Sequence, residues 1–363
     1  MKYRDYVIQR FILLIPVMLG VSLISWFLAD LSGDPLAAYV GENDYYKLSK
    51  EEEAAMREEL GLNEPWYIRF IRHTTRLIKG DWGYSSSHLG APVLPLLKYR
   101  FPATAELAIF ALFIAIGIGI PIGIIQGVKR NQKFDNVTRP VLLTAYSIPV
   151  FVLALYMRFT LIKIAIFLGQ YFNSTEIHYL FPTRGRNNIQ LSKPPHELLF
   201  GLFQPTRFYY IDAIFGFDPI FFLDYFVHLF YPAVILGISL IAGIARMTRM
   251  AMIEVMKTDY ILLAKAKGLQ ERVIIYRHAL KNAMLPVLTV AGIILANLLT
   301  GSIFIEMIFN WPGIGSMIAS GGLVLDMPLV HGFCILAATI YVSVNLAVDL
   351  IYGYIDPRIR STM

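Results

Sequence analysis

The sequence contains very little cysteine and little charge. Of its 363 residues, one is cysteine, Cys334, and 16% are charged, whereas 56% are hydrophobic. A single cysteine excludes an internal disulfide and any metal site built from cysteines. A soluble domain of this length carries more charge and less apolar surface, so the composition predicts a protein of the lipid bilayer.

The motifs of common enzyme classes are also absent. The sequence contains no GxxxxGK[ST] phosphate loop, no HExxH zinc motif and no GxSxG nucleophile elbow. The histidines are scattered and lack the spacing of metal ligands. We therefore predict no catalytic residues and no metal site. The histidines are His73, His88, His178, His196, His228, His278 and His331.

Six apolar segments are each roughly long enough to cross a bilayer, which takes about 20 apolar residues. They predict an all-α, polytopic membrane protein with six transmembrane helices. The first segment is predicted to be an uncleaved anchor and not a cleaved signal peptide, because its apolar run is long and no A-x-A site follows it. The segments are 7–29, 103–128, 141–169, 229–245, 285–309 and 329–354.

The distribution of charge predicts the orientation in the membrane. The two termini and the connections 129–140 and 246–284 together hold 17 Lys/Arg and 6 Asp/Glu. The connections on the other side are near balance. Because short cytoplasmic segments are rich in Lys and Arg, both termini are expected to be cytoplasmic, in a multi-pass protein of the cell membrane. These charges flank spans, so nucleic acid is not an expected partner.

The chain is expected to have three parts. Residues 1–30 form an N-terminal anchor helix, and residues 31–100 form an extracytoplasmic segment with short helices. Residues 101–363 form a five-helix core. The core carries an extracytoplasmic insertion, 170–228, whose aromatic and proline content predicts ordered structure. It also carries the cytoplasmic loop 246–284.

Two short helices are predicted in the first extracytoplasmic segment. Ser49 is an N-cap residue, an acidic first turn follows it, and Gly61 ends the helix. Residues 66–78 form an amphipathic helix. This second helix is either a cap packed on the spans or a helix lying on the membrane surface.

A stripe of small residues runs along the second span at a spacing of four. In lipid, helices associate by close packing, and small residues allow their backbones to approach. The stripe is therefore expected to face another helix, in this chain or in a second one. Pro121 within the span predicts a kink. The stripe comprises Ala111, Ala115, Gly119, Gly123 and Gly127.

Few ionisable residues lie within the spans. Glu106, Glu306 and Asp349 fall near predicted span ends, where the carboxylates are expected to be solvated, and Asn297 and Asn345 lie deeper. The two asparagines either hydrogen-bond between helices or contact a transported substrate. A proton-driven carrier is disfavoured, because its usual intramembrane carboxylates are missing.

The cytoplasmic loop contains a small-residue, basic helix. Ala264, Ala266 and Gly268 are expected to leave its backbone accessible, Gly268 to end it, and a second helix to span 271–283. The loop is predicted to dock another protein, with anionic lipid as the alternative. The predicted contact residues are Asp259, Tyr260, Ala264, Lys265, Ala266, Lys267, Gly268, Arg272, Arg277, His278 and Lys281.

Several motifs resemble those of permease subunits of ATP-binding cassette (ABC) importers, in the branch that serves dipeptides, oligopeptides and nickel. The resemblance covers nearly the whole chain. Its motifs are DYILLAKAKGL and RHALKNAMLP in the loop, FPATAEL at 101–107, SIPVF at 147–151, NWPGIG at 310–315 and NLAVDLIYGYIDPRIR at 345–360.

The resemblance implies a type I importer fold in which 246–284 is the family's EAA loop, the contact for an ATPase. Leu262 and Leu263 depart from its usual Glu and Ala. Implied partners are a second permease, two ATPase subunits and an extracytoplasmic binding protein, besides membrane lipid. ATP and Mg²⁺ would be bound by the ATPases, and this chain would bind no cofactor. The expected function is ATP-driven import of peptides, with nickel or opine import, or an ATP-independent carrier, as alternatives.

Overall fold

The computed structural model describes residues 3–31, 36, 45–172, 180–187, 194 and 205–355. Within these ranges, six helices are long and apolar enough to cross a membrane, which confirms the predicted all-α, six-span architecture. They are α1, α4, α6, α8, α10 and α13. In chain order the elements are α1 (Tyr3–Leu31), α2 (Lys50–Glu59), α3 (Trp66–Ile78), β1 (Tyr84–Ser85), β2 (Ala91–Pro92), α4 (Val93–Val128), α5 (Lys133–Ser147), α6 (Val150–Tyr171), α7 (Tyr209–Phe215), α8 (Pro219–Val255), α9 (Asp259–Ala266), α10 (Glu271–Leu299), α11 (Ile303–Ile308), α12 (Ile314–Leu323) and α13 (Met327–Ile355).

Some sequence predictions fall outside the described residues. The predictions concerned are those for much of the insertion 170–228 and for the end of the C-terminal motif, 356–360. The parts of the insertion that the structure describes are 180–187, residue 194 and 205–228, apart from the end of α6. The architecture below refers to the described ranges alone.

Three predicted spans have different ends in the structure. Helices α4 and α8 continue well beyond the apolar segments 103–128 and 229–245, because the added residues pack within the protein. Val93 and Leu97 of α4 lie in a buried apolar cluster, and Arg249 of α8 pairs with Asp135. The predicted third span, 141–169, is wrong at its start, since the chain breaks between α5 and α6. Pro149 follows Ile148, which has extended backbone angles (φ −80°, ψ 124°). A residue before proline avoids the helical region, which explains the break.

The fifth span also differs from the prediction. The helix begins at Glu271, within the loop 246–284, and ends at Leu299 rather than at residue 309. Gly301 then adopts φ 106°, a conformation that favours glycine, and the chain turns into the short helix α11. The predicted second loop helix, 271–283, is therefore the start of α10. Pro286 does not separate the two, because neighbours in a helical bundle can satisfy the carbonyl that proline leaves free.

Helices α4 and α8 pack in close contact through glycine. A Cβ atom added to Gly123 would lie 2.5 Å from Cβ of Thr248 and 2.6 Å from the carbonyl oxygen of Ala245. Gly119 and Gly127 face α8 in the same way, one turn to either side. The small-residue stripe therefore faces a helix of the same chain. The matched positions increase together along both helices, so α4 and α8 run in parallel.

Helix α2 begins as its sequence predicts. Ser49 accepts a hydrogen bond from the backbone N–H of Glu52, and the Glu52 carboxylate accepts one from the backbone of Ser49. This capping box satisfies two backbone donors at the start of the helix. Gly61, at φ 66°, lies just beyond the end of α2.

Helix α3 packs on two membrane spans. Arg69 donates hydrogen bonds of 2.8 and 2.9 Å to the two carboxylate oxygens of Asp30 at the end of α1. On the same side, His73 Nε2 lies 2.7 Å from His331 Nε2 of α13. Ile78 is exposed. These contacts favour the packed cap, and the exposed isoleucine leaves part of the helix surface apolar.

The histidines are less scattered than the sequence suggests. His73 and His331 are 258 positions apart in the chain, yet their ring centroids lie 4.6 Å apart. Such a contact leaves no trace in local spacing. Within the described residues no group of three His, Cys, Asp or Glu side chains is placed to hold a metal ion.

A two-stranded hairpin precedes α4 and is held by the start of α13. Tyr84 pairs with Pro92 and Ser85 with Ala91 in antiparallel register. Asp326 accepts hydrogen bonds from the Oγ atoms of Ser85 (2.5 Å) and Ser87 (2.6 Å). Burial raises the pKa of Asp326, but the hydrogen bonds together lower it by a larger amount, so this pKa lies below its usual value.

The glycine contact between α4 and α8 can be tested with a matched pair of variants. Gly123→Ala places a methyl group against Thr248, and we expect it to lower the free energy of unfolding by about 1–3 kcal/mol. Gly117→Ala lies on the same helix, where an added Cβ meets no atom within 4 Å. It should be neutral or slightly stabilising. Thermal unfolding of the purified protein measures both, and equal effects would contradict the packing.

Docking of α3 should weaken in acid. Two imidazoles that share one hydrogen bond cannot both be protonated. Burial, His331 and Arg76 lower the pKa of His73 to about 4, against a smaller opposing effect of Asp81. The undocked helix therefore binds a proton at higher pH than the docked one. The stabilisation from docking is complete above about pH 6.5 and is lost as the pH falls through about 4.

The free energy of unfolding of the wild type should fall by roughly 2 kcal/mol between neutral pH and about pH 4.5. The measurement is the accompanying fall in melting temperature. His73→Gln keeps a hydrogen-bonding side chain but does not titrate, so its loss should be smaller. His88→Gln is the control and should behave like the wild type. An unchanged acid sensitivity in His73→Gln would refute the role of this pair.

Candidate functional site at the loop 246–284

Helix α9 is a short helix between two sharp turns. It follows α8 after three residues and begins at the extended N-cap residue Thr258 (φ −73°, ψ 150°). It ends at Gly268, whose φ is +71°, the left-handed region that glycine adopts without strain. The backbone N–H of Gly268 donates to Lys265 O, and that of Leu269 donates to Ala264 O. This double closure is a common glycine helix end.

Ala264 is not on the exposed face of this helix, so that part of the prediction is wrong. Its side chain is 7% exposed and packs, together with Ile261, against the ends of three spans. The physical reason is its spacing of three from Ile261, which places both on the face that points into the protein. The cluster comprises Ile124, Ala251, Met252, Ile261, Ala264, Ile274, Ala279 and Ala283.

The small residues Ala266 and Gly268 are exposed as predicted, and the exposed face of α9 also carries bulky leucines. Leu262 and Leu263 are 52% and 57% exposed. They lie between the two core residues Ile261 and Ala264, and this spacing is the sequence signal that identifies them. Of the other predicted contact residues, His278 is half-buried. The exposed ones are Asp259, Tyr260, Lys265, Ala266, Lys267, Gly268, Arg272, Arg277 and Lys281.

Helix α9 is tied directly to α10. Asn282 Nδ2 donates a 2.6 Å hydrogen bond to the hydroxyl oxygen of Tyr260. Within α10, residues Ile274–Ala279 form a π-helical segment. Such wider turns are rare and often lie at functional sites. Helix α9 therefore makes side-chain contact with the span that follows it as well as with the span that precedes it.

A buried ion pair fixes the neighbouring loop to α8. Arg249 Nε and Nη2 each donate a 2.8 Å hydrogen bond to the carboxylate of Asp135, which is fully buried. Asn131 N donates a third, of 2.9 Å. The hydrogen bonds from Arg249 are the main reason that the pKa of Asp135 falls to about 2. The pair is therefore charged at neutral pH and holds the start of α5 against the C-terminal end of α8.

Two motifs that are far apart in sequence meet at the opposite end of α4. Thr104 Oγ1 donates to Glu306 and accepts a hydrogen bond from Ile314 N. Trp311 Nε1 donates a 2.8 Å hydrogen bond to Ala103 O. A Cβ atom at Gly313 would lie 2.5 Å from Thr104 Oγ1, so glycine is required there. FPATAEL and NWPGIG thus form one structural unit.

The carboxylates of Glu106 and Glu306 are buried, so the expectation that they are solvated at span ends is wrong. Glu106 pairs with Arg186 from the insertion and accepts a 2.9 Å hydrogen bond from Tyr210 N. The Arg186 guanidinium also lies 3.7 Å from the ring centroid of Tyr209. Burial without a partner would be costly, and these contacts offset the cost. They also show that the described part of the insertion is ordered and packed on the core.

The two intramembrane asparagines have different surroundings. Asn297 is exposed on α10, and its backbone carbonyl accepts a hydrogen bond from Thr300 Oγ1. Asn345 is half-buried on α13. Neither side chain hydrogen-bonds to another helix among the residues that the structure describes. The structure therefore does not bring the two together into one polar site.

Comparisons with known proteins identify similar chains over almost the full length. Residues 119–361 match the family described as "Binding-protein-dependent transport system inner membrane component". The chain is 37% identical to the dipeptide transport system permease protein DppB of Alkalihalophilus pseudofirmus, over 98% of this chain and 99% of that protein. It is 37% identical to DppB of Escherichia coli, over 98% of each chain. It is 29% identical to the oligopeptide transport system permease protein AppB of Bacillus subtilis, over 98% of this chain and 99% of that protein.

The two faces of α9 can be distinguished with two alanines of the same helix. Ala264→Arg places a charged side chain in the buried cluster, and we expect it to lower the free energy of unfolding by about 3 kcal/mol. Ala266→Arg changes an exposed position and should be nearly neutral. Thermal unfolding of the two purified variants provides the measurement. Equal stability of the two variants would contradict the orientation of α9.

Proposed function

The chain belongs to the family of binding-protein-dependent inner membrane components of ABC transporters, and on this premise we propose that it is the permease subunit of an ATP-driven importer of di- or oligopeptides. The observation that carries the proposal is the identity of 37% with dipeptide permeases along essentially the whole chain. Six helices long and apolar enough to cross a membrane are distributed along the described part of this chain. Peptide is therefore the favoured substrate over nickel or an opine.

We propose that the energy comes from two ATPase subunits that contact the exposed face of α9. The sequence has no phosphate loop, so ATP and Mg²⁺ are assigned to those partners. Two features support α9 as the contact. Its exposed leucines form a small apolar patch, and lysines and arginines surround the patch. A buried apolar centre with a charged rim is the usual composition of a protein interface.

The proposed orientation places α9 and both termini in the cytoplasm. The excess of Lys and Arg in the termini and in the connections 129–140 and 246–284 supports it. The hairpin, α2, α3 and the insertion then face outward. An extracytoplasmic binding protein would deliver the peptide on that side, and a second, related permease would complete the path.

We assign Asn297 to the translocation path or to the contact with the second permease. Its side chain is exposed on a membrane span, where lipid gives an amide no hydrogen-bond partner. A neighbouring subunit or a peptide backbone would supply one. Asn345, which is half-buried, is the weaker candidate for the same role.

In the proposed mechanism, closure of the ATPase dimer moves α9, and the spans follow it. Helix α9 is held by the ends of α4, α8 and α10 through one apolar cluster. It therefore cannot shift without them. This contact rocks the permease pair between inward-open and outward-open states. The peptide-loaded binding protein biases the transition only by binding one state more tightly than the other.

The experiment that tests the function is uptake into proteoliposomes. The chain is reconstituted with a second permease, the ATPases and the binding protein, and ATP-dependent uptake of a labelled dipeptide is measured. Uptake should require every component. Uptake of nickel or an opine without peptide uptake would replace the substrate assignment. Peptide uptake by the chain alone would show an ATP-independent carrier.

The ATPase contact can be tested with leucines on opposite sides of the membrane. Leu263→Glu places a charge at the centre of the exposed face of α9, so co-purification of the ATPase subunits should fall at least about tenfold. Leu89→Glu changes a fully exposed leucine of the outer hairpin and should leave co-purification unchanged. Both variants should keep the wild-type melting temperature. Normal ATPase binding by Leu263→Glu would refute α9 as the contact.

A further inference from the structure

A cleft of ≈ 500 Å³ opens beside the start of α9. In the proposed orientation it lies at the cytoplasmic boundary of the membrane, where α4 and α8 end. Arg130, just beyond α4, forms one wall, and the last turns of α8 form the other. The lining residues are Arg130, Arg249, Met250, Ile253, Glu254, Lys257 and Thr258.

The cleft contains unpaired charges of both signs. Arg249 is neutralised by its two hydrogen bonds to Asp135. Arg130, Lys257 and Glu254 are exposed, and none of the three makes an ion pair with any residue that the structure describes. Two cations and one carboxylate that have no ion-pair partner among the described residues therefore line the same space. A ligand that complements them carries a negative group and a positive group.

The membrane side of the cleft is apolar. Met250 is 49% exposed and Ile253 is half-buried, and both lie within the last two turns of a transmembrane helix. Apolar side chains at this depth contact the glycerol and upper acyl region of a lipid. Basic residues just beyond a span contact its phosphate. The cleft thus has a polar part and an apolar part in the order that a phospholipid has them.

We propose that this cleft binds a phospholipid whose headgroup carries one phosphate and a primary ammonium, as phosphatidylethanolamine does. The phosphate lies between Arg130 and Lys257, the ammonium donates to the carboxylate of Glu254, and the acyl region contacts Met250 and Ile253. Phosphatidylcholine has no N–H to donate to Glu254. Phosphatidylglycerol brings no cation to that carboxylate.

The test is native mass spectrometry of the delipidated full-length protein. It is offered equal amounts of phosphatidylethanolamine, phosphatidylglycerol and phosphatidylcholine with identical acyl chains. Phosphatidylethanolamine should be retained over the other two. The double variant Arg130→Gln, Lys257→Gln should bind it roughly fivefold more weakly, as expected for the loss of two partly exposed ion pairs. Glu254→Gln should abolish the preference over phosphatidylglycerol.

Matched controls remove the same charge outside the cleft. Lys129→Gln with Lys133→Gln removes two exposed cations near Arg130, and Glu271→Gln removes an exposed carboxylate. Both should bind lipid like the wild type, and all variants should keep the wild-type melting temperature. This readout needs no transport, so it can fail or succeed independently of the proposed function.

Three results would overturn the proposal. The first is retention of phosphatidylglycerol or phosphatidylcholine at least as strongly as phosphatidylethanolamine. The second is displacement of the bound lipid by soluble phosphoethanolamine at equal concentration, which would exclude a contribution of the apolar wall. The third is wild-type lipid binding by the double variant Arg130→Gln, Lys257→Gln. If that variant also fails to co-purify the ATPase subunits, the cleft is a protein contact instead.

Discussion

The close approach of α4 and α8 is the constraint on which the other parts of the structure depend. In a membrane, apolar surface alone does not drive two helices together, so packing must do so. Gly119, Gly123 and Gly127 remove side chains on one helix, and Gly237 removes one on the other, where an added Cβ would meet Ile114. The two helices form a parallel pair, and each end of that pair carries one of the specialised regions. At one end α4 contributes Thr104 to the contact between FPATAEL and NWPGIG, and at the other it contributes Ile124 to the cluster beneath α9.

Buried polar groups specify the end of the helix pair at Thr104 in a way that apolar packing alone would not. Glu306 is fully buried and accepts hydrogen bonds from Thr104 and from Ser316 N. Glu106 is held by Arg186, which the insertion supplies. A buried ion pair contributes little net stability, because desolvation offsets the attraction. Its partners are nevertheless fixed in direction, and these contacts join α4 to α11 and to the described part of the insertion, so that the carboxylates of Glu106 and Glu306 both have hydrogen-bond partners.

The sequence was sufficient for the features that depend on local patterns. Apolar length identified six spans, the spacing of small residues identified a packing face, and Ser49 and Gly61 marked the ends of α2. It was insufficient where distant residues meet. Hydropathy ends a span at the first polar residues, but the helix continues when those residues find partners, as Asp135 and Arg249 do. For the same reason the burial of Glu106 could not be foreseen, since Arg186 lies 80 positions away. The spacing of three between Ile261 and Ala264 is a local signal that puts both on one face of α9, whereas only the fold shows that this face packs on three spans.

The cluster beneath α9 has a mechanical consequence. It draws on α4, α8 and α10, and the hydrogen bond between Tyr260 and Asn282 adds a polar tether to the last of these. A short helix attached to a single span would rotate about that attachment when a force acts on it. Contacts with three spans prevent α9 from rotating by itself, so a force applied to it displaces α4, α8 and α10 together. A displacement that a neighbouring subunit imposes on α9 would then be transmitted across the bilayer and would not be absorbed by bending of α9 alone.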